Sequence, residues 1–126
     1  AISDYSEAIR LDPNKAGIHN DRGSAYHIKQ DCGRAIADYS EAIRLDPTFV
    51  AAYSNRANCY LVQGDTDLAM ANFDAVIRLD PKHVATLINR GNIFRDRKDY
   101  DSAIADYSEA IRLDPSNAIA HNNRGN

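Results

Sequence analysis

The tripeptide Leu-Asp-Pro occurs four times at a constant spacing of 34 residues, with its prolines at Pro13, Pro47, Pro81 and Pro115. The segment before each proline recurs as well, since residues 35–46 return at 1–12 and 103–114 and, in diverged form, at 69–80. A chain with such a period repeats one supersecondary unit, and each unit buries its apolar face against its neighbours. The period therefore predicts a solenoid.

Each repeat carries two amphipathic stripes of helical spacing. Tyr53, Ala57 and Tyr60 fall at i, i+4 and i+7 in the first half of a repeat, whereas Ala35 and Tyr39 begin the matching stripe of a second half. Small residues alternate with aromatic ones on both stripes. We therefore expect an aromatic ring of one helix to lie over an alanine or glycine of its neighbour.

The ends of the second helices are marked by aspartate and proline. Asp31, Asp65 and Asp99, again 34 residues apart, are placed to cap these helices, and the following Leu-Asp-Pro stops them. The register predicts one array made of a second-helix half repeat (1–15), three full repeats (16–49, 50–83 and 84–117) and a truncated first helix (118–126). We expect a piece of a longer array, whose open ends allow self-association.

The repeat resembles the tetratricopeptide repeat, whose signature is Trp-x2-Leu-Gly-x2-Tyr, then Ala-x3-Phe, then Pro. The third repeat has Tyr53-x2-Arg56-Ala57-x2-Tyr60, Ala69-x3-Phe73 and Pro81. Tryptophan is absent, and arginine holds the leucine place at Arg22, Arg56, Arg90 and Arg124, as in an Asn-Arg-Gly/Ala variant of the repeat. The resemblance implies an all-α, right-handed superhelical solenoid of antiparallel helix pairs.

Those arginines have two interpretations. We expect the aliphatic stem to pack on the edge of the core, with the guanidinium paired to an acid such as Asp38 or Asp106. The alternative is that the arginines contact a ligand.

Asparagine also repeats, on the first helices. Asn55, Asn89 and Asn123 are each followed three residues later by Asn58, Asn92 and Asn126. At about 100° per residue these side chains lie opposite the packed stripe, so we expect them to be exposed. Asparagine is a poor helix former, and an amide can pair with the C=O and N–H of an extended peptide. Recent duplication of an arbitrary residue is the alternative explanation.

The tetratricopeptide resemblance implies that first helices line a concave groove. The row is similar to the asparagine ladder of the O-linked N-acetylglucosamine transferase superhelix, although Asp21 interrupts it. The groove residues predicted to flank the row are Asn20, Ser24, His27, Ser54, Leu61, Ile88 and Arg95. Another mode in the family, a carboxylate clamp for acidic chaperone tails, needs lysine or arginine beside the asparagines, but those places hold Ala51, Ser54, Ala85, Ile88, Ile119 and Asn122.

Other chemistry has little support in the sequence. His19 and His121 occupy the packed stripe, and Cys32 and Cys59 lack a Cys-x-x-Cys or Cys/His spacing, so we expect no catalytic residue, metal or cofactor. Both cysteines are interpreted as small space-filling residues, in a reducing cytoplasmic compartment. A net charge of -3 with interspersed signs argues against nucleic acid, and no run of about 20 apolar residues predicts membrane insertion.

The predicted function is non-catalytic binding of an extended polypeptide in the groove. Two other classes stay open. One is a structural array that assembles with itself, and the other is the substrate-guiding arm of an enzyme whose catalytic domain lies elsewhere.

Overall fold

The computed structural model describes residues 1–116, which form seven α-helices and no strand. The helices are α1 (Ile2–Leu11), α2 (Ala16–Ile28), α3 (Cys32–Leu45), α4 (Val50–Val62), α5 (Thr66–Leu79), α6 (Val84–Asp96) and α7 (Tyr100–Leu113). The predicted all-α class is confirmed. None of these helices, within residues 1–116, combines the length and apolar character needed to cross a membrane.

The helix ends follow the predicted signals. The Asp31 side chain accepts a hydrogen bond from the backbone N–H of Arg34 at 3.1 Å, and Asp99 accepts one from Ser102 at 3.3 Å. Each satisfies a donor that would otherwise be free in the first turn of α3 or α7. The helices α1, α3, α5 and α7 all end at the leucine of Leu-Asp-Pro, because proline disfavours helical geometry in the preceding residue.

The chain divides into two compact units, with the division inside α5. In unit 1 (Ala1–Ala75), α2 packs against α1 and α3, α3 packs against α4, and α2 also touches α4. A buried cluster of Cys32, Ala35, Tyr39 and Cys59 lies among these helices. In unit 2 (Val76–Asn126), α6 packs against α7 around a cluster of Leu87, Ile88, Ala103, Tyr107 and Ala110.

An aromatic ring lies directly on a glycine in both units. A Cβ atom added at Gly23 of α2 would lie 2.7 Å from Cε1 of Tyr39, and one added at Gly91 of α6 would lie 2.7 Å from Cε1 of Tyr107. Both tyrosines are almost completely buried. The predicted packing of rings over small residues is therefore confirmed, and only glycine fits beneath these two rings.

Substitution of two glycines in the same helix tests this packing. Gly23→Ala should lower the free energy of unfolding by about 1–3 kcal/mol, because the new methyl group would force a buried ring to shift. Gly17→Ala is the matched control, since nothing lies within 4 Å of the added Cβ, and it should raise stability by about 0.4–1 kcal/mol. Urea denaturation of both variants measures the difference. Equal midpoints would contradict the close contact.

Candidate functional site

Two of the repeated arginines form bidentate ion pairs with a carboxylate of the partner helix. In unit 1, Arg22 donates from Nε to Asp38 Oδ2 at 2.8 Å and from Nη2 to Oδ1 at 2.7 Å. In unit 2, Arg90 makes the same two bonds to Asp106 at 2.8 and 2.7 Å. The hydrogen bond to Asp38 raises the pKa of Arg22. These contacts confirm the structural interpretation of the two arginines, whose guanidinium groups hold helix pairs together.

The third arginine in residues 1–116 has a neutral partner. Arg56 donates from Nε to Asn72 Oδ1 at 2.8 Å and from Nη1 to Ser40 Oγ at 3.1 Å. The Asn72 amide nitrogen donates to the carbonyl of Leu68 at 2.7 Å. Asn72 occupies the place of Asp38 and Asp106, so this repeat keeps the geometry of the pair but loses its negative charge.

Asn72→Asp should therefore stabilise the chain. The variant loses the hydrogen bond to Leu68 but gains the charge-assisted bidentate pair seen at Arg22 and Arg90, for a net increase of about 1 kcal/mol in the free energy of unfolding. Asn14→Asp, an exposed turn residue, is the matched control for the change in net charge. Chemical denaturation at two salt concentrations checks the result, and an Asn72→Asp variant no more stable than the wild type would refute it.

Five of the seven predicted binding residues of unit 1 lie on α2 and α4 and are called here the α2–α4 face: Ser24, His27, Asn55, Asn58 and Leu61. All five are half-buried. The two helices are joined there by a hydrogen bond from Asn55 Nδ2 to Asn20 Oδ1 at 3.2 Å. The prediction that the asparagines are exposed is therefore wrong at Asn55 and Asn58. A first helix in a stack contacts the next first helix as well as its own partner, so the side opposite the core stripe is also partly covered.

Three predicted groove residues at equivalent positions of the repeat are buried or have a buried polar atom. Asn20 and Ile88 are 9% and 8% exposed, and Ile88 belongs to the core cluster of unit 2. Ser54 is half-buried, but its hydroxyl oxygen is buried and has no hydrogen-bond partner in the described part of the chain, residues 1–116. These three residues occupy equivalent positions on α2, α4 and α6, which point between helices instead of outward. The expectation that these three residues flank the asparagine row on an open groove is corrected accordingly.

In unit 2 the same row lies on α6. Asn89 and Asn92 are half-buried, and Asn92 Oδ1 accepts a hydrogen bond from the Tyr107 hydroxyl at 2.5 Å. Arg95 is exposed and lies 3.5 Å from a carboxylate oxygen of Asp96. The predicted residues Asn123 and Asn126 lie outside the described residues.

The buried tyrosines determine which polar side chains keep free hydrogen-bonding groups. Tyr39 donates its hydroxyl to Ser24 at 3.2 Å, as Tyr107 does to Asn92, and burial raises the pKa of both tyrosines, so both stay protonated at neutral pH. The equivalent residue of the intervening repeat is Phe73, which has no hydroxyl, and its counterpart of Ser24 and Asn92 is Asn58. Among residues 1–116, the Asn58 and Asn89 side chains form no hydrogen bond.

Comparison with known proteins identifies the family. Profiles described as TPR repeat match residues 1–30, 23–64 and 91–126, and one described as tetratricopeptide repeat matches residues 50–83.

The chain belongs to the tetratricopeptide repeat (TPR) family.

Solved structures show the same fold. MamA has a TM-score of 0.90 at 21% identity, over 98% of this chain and 72% of that one. The first TPR domain of Spaghetti (RPAP3), bound to the HSP90 peptide SRMEEVD, has a TM-score of 0.81 at 23% identity over 87% of each chain. The TPR domain of Arabidopsis OM64 has a TM-score of 0.79 at 26% identity, over 86% of this chain and 90% of that one. No curated protein sequence matches the chain.

The histidine on the packed stripe of the second TPR repeat has a structural role. His19 is 6% exposed, and its Nε2–H donates to the carbonyl oxygen of Pro13 at 2.8 Å. This contact confirms that His19 is a packed residue that ties α2 to the turn before it. The other stripe histidine, His121, lies outside the described residues.

The cysteines form an arrangement that their spacing does not reveal. Cys32 and Cys59 are both buried, and their sulfur atoms lie 2.9 Å apart although the residues are 27 positions apart in the sequence. One ring nitrogen of His27 and the two sulfur atoms lie within 4.8 Å of one another. Burial and the neighbouring Cys32 thiol raise the pKa of Cys59 to about 12, so Cys59 is not a thiolate nucleophile at neutral pH. The TPR register alone could have placed the start of α3 beside the second half of α4.

Proposed function

We propose that this TPR array is a non-catalytic scaffold that binds an extended polypeptide segment on the α2–α4 face. One observation carries the proposal: as far as residues 1–116 show, the half-buried Asn58 side chain of unit 1 keeps both its amide donors and its carbonyl acceptor. A polar group that is partly removed from water and has no internal partner gains from a ligand that supplies one. In unit 2 the half-buried Asn89 on α6, which occupies the place of Asn55, also has no side-chain hydrogen bond within residues 1–116.

The chemistry of the face favours recognition of a peptide backbone. An amide offers one acceptor and two donors, which match the N–H and C=O of an extended strand and leave its side chains unread. Asn55 already donates to Asn20, but its carbonyl oxygen can still accept a hydrogen bond. Asparagine at these positions also lowers helix propensity, a cost that a purely solvated face would avoid with glutamate or lysine. Resemblance to the asparagine ladder of the O-linked N-acetylglucosamine transferase superhelix supports the same mode.

An acidic peptide tail is the competing ligand class. The RPAP3 TPR domain is bound to SRMEEVD, a peptide with three acidic residues. None of the five residues of the α2–α4 face is lysine or arginine. The charged arginine of α4, Arg56, is directed to Asn72 and Ser40 on the neighbouring second helices. A nearly neutral face favours backbone hydrogen bonds over capture of carboxylates.

Alanine substitution tests the role of Asn58. Peptides selected on the intact chain from a random library serve as ligands, and Asn58→Ala should weaken their binding by about 1–3 kcal/mol in isothermal titration calorimetry. The melting temperature should stay nearly unchanged, because the removed amide has no partner within residues 1–116. Asn14→Ala, the same substitution at an exposed turn, is the control and should leave affinity unaltered.

The selected peptide can be modified to complete the test. Methylation of the peptide nitrogen that pairs with Asn58 should reduce affinity for the wild type and have little further effect on Asn58→Ala. Monodisperse protein is needed, since self-association would also change the heat signal. Equal affinity of Asn58→Ala and the wild type for every selected peptide would assign the asparagine row to duplication without function.

Salt dependence separates the two ligand classes. Because the α2–α4 face contains no permanently charged side chain, affinity for the selected peptides should change less than about twofold when salt is raised from low to physiological concentration, where the Debye length is about 8 Å. An acidic ligand held by lysine or arginine would instead lose most of its affinity. Fluorescence anisotropy with a labelled peptide measures the slope, and a steep slope would favour the acidic tail.

A further inference from the structure

A buried pair of thiols beside an imidazole lies where α2, α3 and α4 meet in unit 1. The sulfur atoms of Cys32 and Cys59 are 2.9 Å apart, and one nitrogen of the half-buried His27 ring lies within 4.8 Å of both. His27 belongs to the last turn of α2, Cys32 is the first residue of α3, and Cys59 lies in the second half of α4. Three separate helices therefore place their donor atoms around one point.

We propose that His27, Cys32 and Cys59 bind a Zn²⁺ ion. Thiolate sulfur and imidazole nitrogen are the donors that zinc prefers, at about 2.3 Å for sulfur and about 2.0–2.1 Å for nitrogen. Ligand atoms of a tetrahedral ion with these bond lengths are about 3.5–3.8 Å apart. The three donor atoms already fall inside 4.8 Å. The two sulfur atoms, now 2.9 Å apart, need to separate by roughly 0.9 Å, within reach of small side-chain rotations.

Charge and position favour zinc over other thiophilic ions. Binding releases one proton from each thiol, and the two thiolates then balance the two positive charges of Zn²⁺, so a neutral group is buried. A monovalent ion such as Cu⁺ would leave a net negative charge there. Cys32 also begins a helix, whose N-terminal N–H groups stabilise negative charge nearby.

The surroundings leave the His27 ring and one coordination position of the ion available. Among residues 1–116 the His27 ring forms no hydrogen bond, so neither ring nitrogen is committed to another group. Two cysteines and one histidine supply three protein ligands, a set that leaves one position of a tetrahedral ion for water. The proposed site does not depend on the proposed peptide binding, although His27 lies at the edge of the α2–α4 face.

Cobalt substitution tests the site on the intact chain. The protein is freed of metal and reduced, its two thiols are counted with a thiol reagent, and Co²⁺ is added without oxygen. We expect one Co²⁺ per chain, with the sulfur-to-cobalt charge-transfer band and the strong visible bands of a tetrahedral ion. Zn²⁺ should abolish both by displacement, and it should raise the melting temperature of the wild type.

Variants decide which residues bind the ion. Cys59→Ala should remove the charge-transfer band or reduce it to that of one thiolate, and alanine is compatible with this place because the equivalent residue of α2 is Ala25. His27→Asn should weaken Co²⁺ binding at least about tenfold, because even the loss of a residue that only hydrogen-bonds to a metal ligand lowers metal affinity by about that factor. His83→Asn is the matched control and should bind as the wild type does.

Three results would overturn the proposal. The first is a reduced chain with two counted thiols that gives no charge-transfer band, and the second is a band that Cys59→Ala leaves intact. The third is a chain that shows no free thiols when it is purified without oxygen and counted before any reductant is added, which would assign Cys32 and Cys59 to a disulfide. Because the readouts are spectroscopic, failure here would not affect the peptide-binding experiments.

Discussion

The contact of a tyrosine ring with a glycine fixes how the two helices of a repeat meet. Gly23 lies under Tyr39 and Gly91 under Tyr107, so the two helix backbones approach closely at one point in each unit. That contact sets which neighbouring residues of the two helices face each other. The residues just before the glycine and the tyrosine, Arg22 and Asp38 in unit 1, become neighbours and form a bidentate ion pair. Arg90 and Asp106 do the same in unit 2, with almost identical distances.

The same register links the core to the candidate binding surface. In both units the tyrosine hydroxyl donates to the residue that follows the glycine. Tyr39 donates to Ser24 in unit 1, and Tyr107 donates to Asn92 in unit 2. The intervening repeat has Phe73 and Asn58 at these places. Loss of one hydroxyl from the core thus frees an amide on the surface. The proposed peptide-binding role of Asn58 therefore rests on this change in the core, from Tyr to Phe73.

Much of the fold could be predicted from the sequence because it depends on interactions within a repeat. The 34-residue period, the caps at Asp31 and Asp99, and the pairing of Arg22 with Asp38 all involve one helix or one helix pair. The exposure of Asn55 could not be predicted in this way. It depends on Asn20 of the preceding repeat. A first helix contacts both its own second helix and the neighbouring first helix, and the hydrophobic stripe in the sequence identifies only the stronger of these contacts. The meeting of Cys32 with Cys59 was missed for the same reason, since it needs the start of α3 to lie beside the second half of α4, a helix of the next repeat.

Positions that break the repeat distinguish this array from a generic TPR solenoid. The places of His27, Cys32 and Cys59 hold Leu61, Thr66 and Ile93 in the following repeat, so none of the three donors is required by the fold. Packing alone would accept an apolar or small residue at each place. Three such departures, separated by up to 32 positions in the sequence, nevertheless converge within 4.8 Å. A repeat provides the same scaffold at every copy, whereas chemistry confined to one copy must come from residues that differ between copies. The thiol and imidazole groups of unit 1 meet that condition. Asn58 recurs as Asn92, and what distinguishes it is the core residue Phe73, which has no hydroxyl to donate to the Asn58 side chain.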